Sequence, residues 1–312
     1  MPPLVVLGGP TATGKTPLAI QLAEDLAARG RPAEIVSADS RQVYRGLDIG
    51  TAKATAEERR RARHHGVDLV DPDEPFSVAD FRTHALASLA DLGSRGGVGI
   101  LAGGTGFWIR AVARGIDTDG LPSDPGLRAA LETALERDGL GSLVDELTRV
   151  APDRAASIDL ANPRRVVRAL EITHLAGDAP LPPPVGYEAP ILWLALDVEP
   201  AEHRRRIAQR ARAQFDAGLI DEAESLRRRF DPNLPAFSAI GYREAWAVLD
   251  GEITREEAID LDAARNVAFA KRQRTWFRAE GEIRWLDATD DPLPAARALL
   301  DEFLSAADEA TV

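Results

Sequence analysis

Short runs of consecutive apolar residues alternate along this 312-residue chain with longer stretches in which apolar positions recur every three or four residues. The runs, bounded by turn-forming residues, predict buried strands; the stretches predict amphipathic helices. Strands are expected at Leu4–Leu7, Glu34–Ser37, Val98–Ala102, Ile191–Leu196 and Ile283–Leu286. In the first helix, Leu18, Leu22 and Leu26 fall at spacing four with Ala19 and Ala23 beside them, which makes a core-facing stripe. Strands alternating with helices predict an α/β core built on a parallel sheet flanked by helices.

Between about 116 and 189 the strand pattern stops. Leu127, Leu131 and Leu135 form one helical stripe, and Leu140, Leu143, Val144 and Leu147 continue on another. Pro163 sits at a helix start before Arg164-Arg165-Val166-Val167-Arg168-Ala169-Leu170. The segment closes with Ala179-Pro180-Leu181-Pro182-Pro183-Pro184, a stiff linker back to the sheet. The expected organisation is a core of residues 1–115 and 190–312 with an all-helical insertion at 116–189. From 201 to 280 the pattern is mostly helical, and the last residues read as a frayed helix.

The first strand runs into Gly9-Pro10-Thr11-Ala12-Thr13-Gly14-Lys15-Thr16, which fits the phosphate-loop pattern G-x-x-x-x-G-K-[ST] between a strand and a helix. Its glycines let successive backbone N–H groups turn toward an anion, and the following helix N-terminus adds its dipole. Lys15 would reach the outer phosphates and the Thr16 hydroxyl would bind Mg²⁺. The fold expected is thus P-loop NTPase-like.

Ligands in such sheets sit beyond the carboxyl ends of the strands. Asp39-Ser40 and Gly103-Gly104-Thr105-Gly106 fall there. Asp39 could serve as a base or a metal-directed carboxylate, or equally as a helix cap. Thr105 offers a hydroxyl, though a capping threonine in a tight turn explains it alone. Asp197 ends a strand as a Walker B aspartate would, and Arg206 and Arg210 lie four apart on the next helix, as in small-molecule kinases. His64-His65 is read as helical, where adjacent side chains diverge and make no metal site.

Composition narrows the setting. The chain has no cysteine, which removes disulfides and thiolate metal sites and suits a reducing compartment. Met1-Pro2-Pro3 runs straight into the first strand, and no apolar stretch approaches a membrane span, so a cytoplasmic protein without a leader is expected. The net charge of −12 argues at first against nucleic acid. Basic residues nevertheless cluster at 59–63, 204–206, 227–229 and 271–274, where they pair with glutamates on helix faces or bind phosphate.

The string Ser37-Ala38-Asp39-Ser40-Arg41-Gln42-Val43-Tyr44-Arg45-Gly46-Leu47-Asp48-Ile49-Gly50-Thr51-Ala52-Lys53 resembles the tRNA dimethylallyltransferases (tRNA isopentenyltransferases). The resemblance continues through Phe76–Phe81, Gly103–Gly106, Asn162-Pro163-Arg164-Arg165, Arg206–Arg210, Ala239–Glu244, Ala270–Gln273 and Thr275-Trp276-Phe277, in the family order. It implies transfer of the dimethylallyl group of dimethylallyl diphosphate to N6 of adenosine 37, immediately 3′ of the anticodon. It further implies that Gly9 to Thr16 hold the diphosphate, with Mg²⁺ on Thr16. Asp39 becomes the general base, Thr105 a diphosphate ligand near the breaking bond, and Arg210 the stabiliser of the growing negative charge. Contacts to the tRNA anticodon stem-loop are implied at Asp39, Ser40, Arg41 and Gln42; at Arg164, Arg165, Val166, Val167 and Arg168; and at Ile240, Gly241, Tyr242 and Arg243. A monomer suffices for this work.

Three departures from the family pattern stand out. Asn266-Val267 replaces the usual Thr-Arg, Trp108 replaces a tyrosine, and the stretch after Gly177 is shorter and richer in proline. Rival readings are an ATP-using small-molecule kinase, an isopentenyltransferase of free adenine nucleotides, and a nucleotide-binding switch without catalysis.

Overall fold

The computed structural model of the chain describes residues 1–116, 121–178 and 183–309. It separates into two compact units, one of residues Met1–Arg114 with Gly186–Val312, the other Gly115–Val185.

In the larger unit, strands β1 (Leu4–Gly8), β2 (Ala33–Ser37), β3 (His64–His65), β4 (Val98–Ala102), β5 (Ile191–Asp197) and β6 (Arg284–Asp287) form one sheet. Their order is β3-β2-β4-β1-β5-β6 and every pairing is parallel. The central strand β1 pairs Leu4–Leu7 with Gly99–Ala102 on one side and Ile191–Leu194 on the other. Because strand side chains alternate, β1 feeds two cores. Val5 and Leu7 pack with Leu18, Leu22 and Leu26 of α1 (Lys15–Ala28). Leu4 and Val6 pack on the opposite face with Phe81 and Leu89 of α3 (Val78–Ser94) and Ile109 of α4 (Gly106–Ala113). The five apolar runs therefore became strands with ends shifted by a residue or so.

β3 was not foreseen, and the helical reading of His64-His65 is corrected here. The short α2 (Ala56–Arg61) opens with a capping box between Thr55 and Glu58, and the chain leaves it in extended form at Ala62. His64 and His65 then pair with Ile35 and Val36. Two polar residues carry no period that could announce a strand.

α8 (Pro200–Asp216), α9 (Leu219–Arg227), α10 (Tyr242–Leu249) and α11 (Arg255–Arg278) follow β5, and α12 (Leu293–Glu309) ends the described chain. Among the described residues no helix is long and apolar enough to cross a membrane.

The smaller unit holds α5 (Pro125–Val150), α6 (Pro152–Ser157) and α7 (Pro163–Ala176). Gly139 interrupts α5 with φ +80°, which is why the leucine stripe changes face there. Leu131, Leu143 and Leu147 pack on Val166, Val167 and Leu170 of α7. Asn162 caps α7 by accepting from the N–H groups of Arg164 and Arg165, and Pro163 occupies the first turn. Within the proline-rich linker expected to close this segment, residues 179–182 lie outside the described residues.

Candidate active site

The carboxyl ends of β1, β2 and β4 open on one cavity of about 1350 Å³, lined from the phosphate loop, the loop after β2, the Gly-Gly-Thr turn, α8 and α11. Thr11, Ala12, Gly14, Lys15 and Thr16 line it together with Asp39, Thr105 and Arg210. Gly9, Pro10 and Thr13 belong to the same loop but sit behind its surface: all three are buried. Gly14 takes φ +90° with open space around it, so the backbone conformation, not crowding, demands glycine there. At Gly103 the demand is spatial, since a Cβ would lie 2.2 Å from the Ala38 carbonyl oxygen.

The loop is tied down from distant parts of the chain. Gln273 of α11 accepts from the Thr11 N–H at 2.8 Å and donates to the Gly104 carbonyl at 3.0 Å. His203 of α8 meets the Thr11 carbonyl at 2.8 Å through Nε2, which must carry the proton because a carbonyl only accepts. Its Nδ1 is then the acceptor for Arg274, 3.1 Å away, and burial holds the imidazole below its usual pKa, in keeping with this neutral tautomer. Arg210 donates to the Thr11 hydroxyl at 2.8 Å, and Lys15 Nζ donates to the Pro10 carbonyl at 2.6 Å.

Lys15 is half-buried by area, yet its ammonium is withdrawn from solvent. Burial, with the Arg210 charge adding and Asp39 opposing, brings its pKa down to about 7. Burial also lowers the pKa of Arg210, against the pull of Asp39 and Asp262. Neither Lys15 nor Arg210 forms an ion pair with a carboxylate among the described residues, so the two cations leave the site short of negative charge.

Asp39 is not a helix cap. One carboxylate oxygen accepts from the Arg41 N–H at 2.9 Å in a turn, and the other has no partner among the described residues. Nor does Thr105 cap α4 with its side chain; its hydroxyl accepts from the Ser40 N–H at 3.1 Å, which leaves its proton free to donate. Thr16 and Asp39 supply hard oxygens of the kind Mg²⁺ takes alongside substrate phosphates. No cluster of three His, Cys, Asp or Glu able to hold a metal occurs among the described residues. The donor set therefore fits an ion completed by diphosphate oxygens and water.

Asp197 does not serve as a Walker B carboxylate. Arg274 binds it at 2.6 and 2.9 Å, and Arg278 approaches at 3.7 Å. Arg206 is spent on Glu202 and on the carbonyls of Ala288 and Thr289, so the arginine pair of the kinase reading reduces to Arg210.

The residues expected at the tRNA fall into two kinds. Ser40, Arg41, Gln42 and Ile240 line the cavity, and Arg243 is exposed. Arg164 and Arg165 stand exposed at the start of α7 with no side-chain partner among the described residues. Val166 and Val167, by contrast, are 0% and 4% exposed in the helical core, and Tyr242 is fully buried. These three side chains do not face a partner, because the apolar stripe of α7 and the first turn of α10 point inward. Gly241 is likewise buried and caps α10. The Tyr242 hydroxyl donates to Glu222 at 2.7 Å, which also collects the N–H groups of Ile49 and Gly50. Arg168 is committed to Glu171 at 2.7 Å and to the Pro122 carbonyl. Gln42 gives its amide to the Thr51 and Ala52 carbonyls and takes the Ser37 hydroxyl.

Sequence reasoning assigned no role to Gln273, His203 or Arg272. Gln273 and Arg272 lie in a noted basic block, but no spacing rule foretells a contact across 262 residues. The Asn266-Val267 departure also resolves: Asn266 lines the cavity and donates to the buried Asp262 at 2.8 Å, while Val267 is exposed. Arg272 brings positive charge to the same wall, and Arg265 lies there paired with Glu244.

Comparison with known proteins agrees with this geometry. The family model described as IPP transferase matches residues 42–280. The chain belongs to the IPP transferase family. The tRNA dimethylallyltransferase of Methylococcus capsulatus is 44% identical over 296 residues, covering 92% of this chain and 93% of that protein. The tRNA dimethylallyltransferase of Thermus thermophilus is 44% identical over 293 residues, with 92% and 93% covered. Among solved structures, the full-length tRNA isopentenylpyrophosphate transferase of Bacillus halodurans superposes with a TM-score of 0.71 at 38% identity, covering 99% of this chain and 98% of that one. A eukaryotic dimethylallyltransferase acting on tRNA reaches a TM-score of 0.81 at 26% identity, covering 98% and 80%. IPP transferase membership bears out the resemblance drawn from the Ser37–Lys53 string and the P-loop NTPase-like fold, and it leaves the kinase reading without support.

Proposed function

We propose that the protein transfers the dimethylallyl group of dimethylallyl diphosphate to N6 of adenosine 37 in tRNA, releasing diphosphate. The observation that carries this reading is the meeting of Lys15, Asp39, Thr105 and Arg210 on one cavity in a chain of the IPP transferase family. The cavity's volume exceeds what a diphosphate alone fills, so a five-carbon group and an extruded base fit beside it.

The phosphate loop from Gly9 to Thr16 receives the diphosphate on its N–H groups and on Lys15, which exchanges the Pro10 carbonyl for a phosphate oxygen. Arg210 and the Thr105 hydroxyl line the same cavity and would meet the charge that gathers on the leaving oxygen. N6 forms a bond to the allylic carbon as the carbon–oxygen bond breaks, and the diphosphate departs with the electron pair. The proton lost from N6 passes to the unpartnered oxygen of Asp39. The residues fit Mg²⁺ held by the Thr16 hydroxyl and substrate oxygens; when bound, the ion would neutralise charge on the leaving group. Arg41, Arg164, Arg165 and Arg243 present unpaired guanidinium groups suited to tRNA phosphates.

The test is incubation with dimethylallyl diphosphate, Mg²⁺ and equal concentrations of unmodified tRNA and AMP, followed by mass spectrometry of the nucleosides. N6-isopentenyladenosine derived from the tRNA supports the reading. Product from AMP alone would replace tRNA as acceptor, and no product from either would overturn the transferase assignment.

A further inference from the structure

His64 Nε2 is, among the described residues, the single buried side-chain nitrogen or oxygen without a hydrogen-bond partner. Its other ring nitrogen, Nδ1, lies 2.8 Å from the Ala62 carbonyl and must be the protonated one. Burial also holds the imidazole below its usual pKa. Nε2 is therefore a lone pair turned inward and in need of a donor. Leaving such an acceptor unmet is costly enough that folded proteins seldom do so.

A small cavity of about 20 Å³ touches this histidine. Thr16, Ser37, Gln42, Ala54 and Ala102 line it and line the large cavity as well, so it is a pouch behind the wall of the candidate active site. Its volume suits one water molecule. Its polar walls are largely spoken for: Ser37 donates to Gln42, and Gln42 donates to two carbonyls. The Thr16 hydroxyl, in contrast, has no hydrogen bond to any described residue.

We propose that this pouch holds one ordered water that donates to His64 Nε2 and accepts the hydroxyl proton of Thr16, which makes His64 a positioning residue for the site. With its proton directed into the pouch, the Thr16 oxygen turns its lone pairs toward the large cavity. A hydroxyl that ligates a cation or meets a diphosphate–metal complex needs that orientation. His64 itself touches no substrate; it acts through water and Thr16, as groups behind a metal ligand do. The consequence for turnover rests on the proposed function, whereas the water and its two bonds do not.

A high-resolution crystal structure of the wild-type protein without ligand is the first readout. A water within hydrogen-bonding distance of both His64 Nε2 and Thr16 Oγ is expected; a dry pouch, or a water touching neither, overturns the proposal. The second readout is calorimetric binding of inorganic diphosphate at increasing Mg²⁺. His64→Leu should raise the Mg²⁺ needed for half-maximal binding roughly 10–100-fold. His64→Gln, whose amide oxygen reaches the position of Nε2, should restore most of it. Equal Mg²⁺ dependence in wild type and both variants would overturn the proposal. If wild type binds no diphosphate at any Mg²⁺ concentration, the proposed function fails, and the crystallographic water still decides the role of His64.

Discussion

Asp39 keeps one carboxylate oxygen in its turn with the Arg41 N–H and offers the other to the cavity, the arrangement of a held base. Asp39→Ala should lower kcat roughly 10²–10⁴-fold with diphosphate affinity retained, measured by single-turnover transfer and calorimetry. Arg210→Gln should cost about 10²–10³ in kcat, because a preorganised donor to the leaving group is removed. Lys15 gives a pH dependence of definite sign. Its pKa of about 7 lies far below the ordinary 10.5, so in the free protein the ammonium is lost as pH rises through 7. Bound diphosphate favours the charged form, so binding above pH 7 must take up a proton and weaken as pH rises further. Calorimetry at pH 8 in two buffers of different ionisation enthalpy checks this; identical heats would contradict it. At this scale the sequence was most legible where position follows short spacing, as at Lys15 and Thr16 in the phosphate loop, whereas spacing alone left Asp39 equally a helix cap. It was least so where a partner is remote, as for Gln273 and His203.

Elements decide which arginines remain for RNA. In α7 the first turn exposes Arg164 and Arg165, while one turn later Arg168 is bound to Glu171. Glu171 is fully buried and also holds Arg128 and the Asp124 N–H. Burial alone would raise its pKa; the hydrogen bonds from Arg168 and Arg128 outweigh that and bring it to about 2. Because that value is depressed, the stabilisation is present above the ordinary 4.5 and is lost as pH falls toward 2. Arg168→Ala should therefore destabilise the helical unit by about 1.5–3 kcal/mol, the worth of a charged hydrogen bond, since Arg128 and the Asp124 N–H still hold Glu171. Arg164→Ala and Arg165→Ala should leave stability alone and each reduce the slope of log affinity against log salt by about 0.7–0.9. The buried strands, α1 and the helices of the insertion were readable from periodicity and the start of α7 from Pro163, whereas α2 with its Thr55 cap was not read. The two-residue β3 was not, since its pairing is fixed by tertiary packing alone.

For the whole molecule, the net charge of −12 sets a limit on nucleic-acid affinity that local arginines must overcome. Binding of tRNA should accordingly weaken steeply with salt, whereas inorganic diphosphate with Mg²⁺ should stabilise the folded protein. At 100 times its Kd the gain is about 2.7 kcal/mol, seen as an upward shift of the thermal transition in calorimetry. The division expected from the sequence rests on the strand pattern, which stops near residue 116 and resumes near 190. Of the five segments that meet on the cavity, the phosphate loop and the turns at Asp39 and Thr105 were legible from the strand-end rule and Arg210 through the family resemblance, whereas the approach of α11 was recorded by neither. The central claim is that this cavity alkylates a tRNA adenosine with Asp39 as base. It is tested most directly by following label from dimethylallyl diphosphate into unmodified tRNA and mapping the labelled nucleotide. Label on N6 of adenosine 37, lost in Asp39→Ala while that variant still binds diphosphate, is the predicted result. Full transfer by Asp39→Ala, or no label in tRNA with wild type, would contradict it.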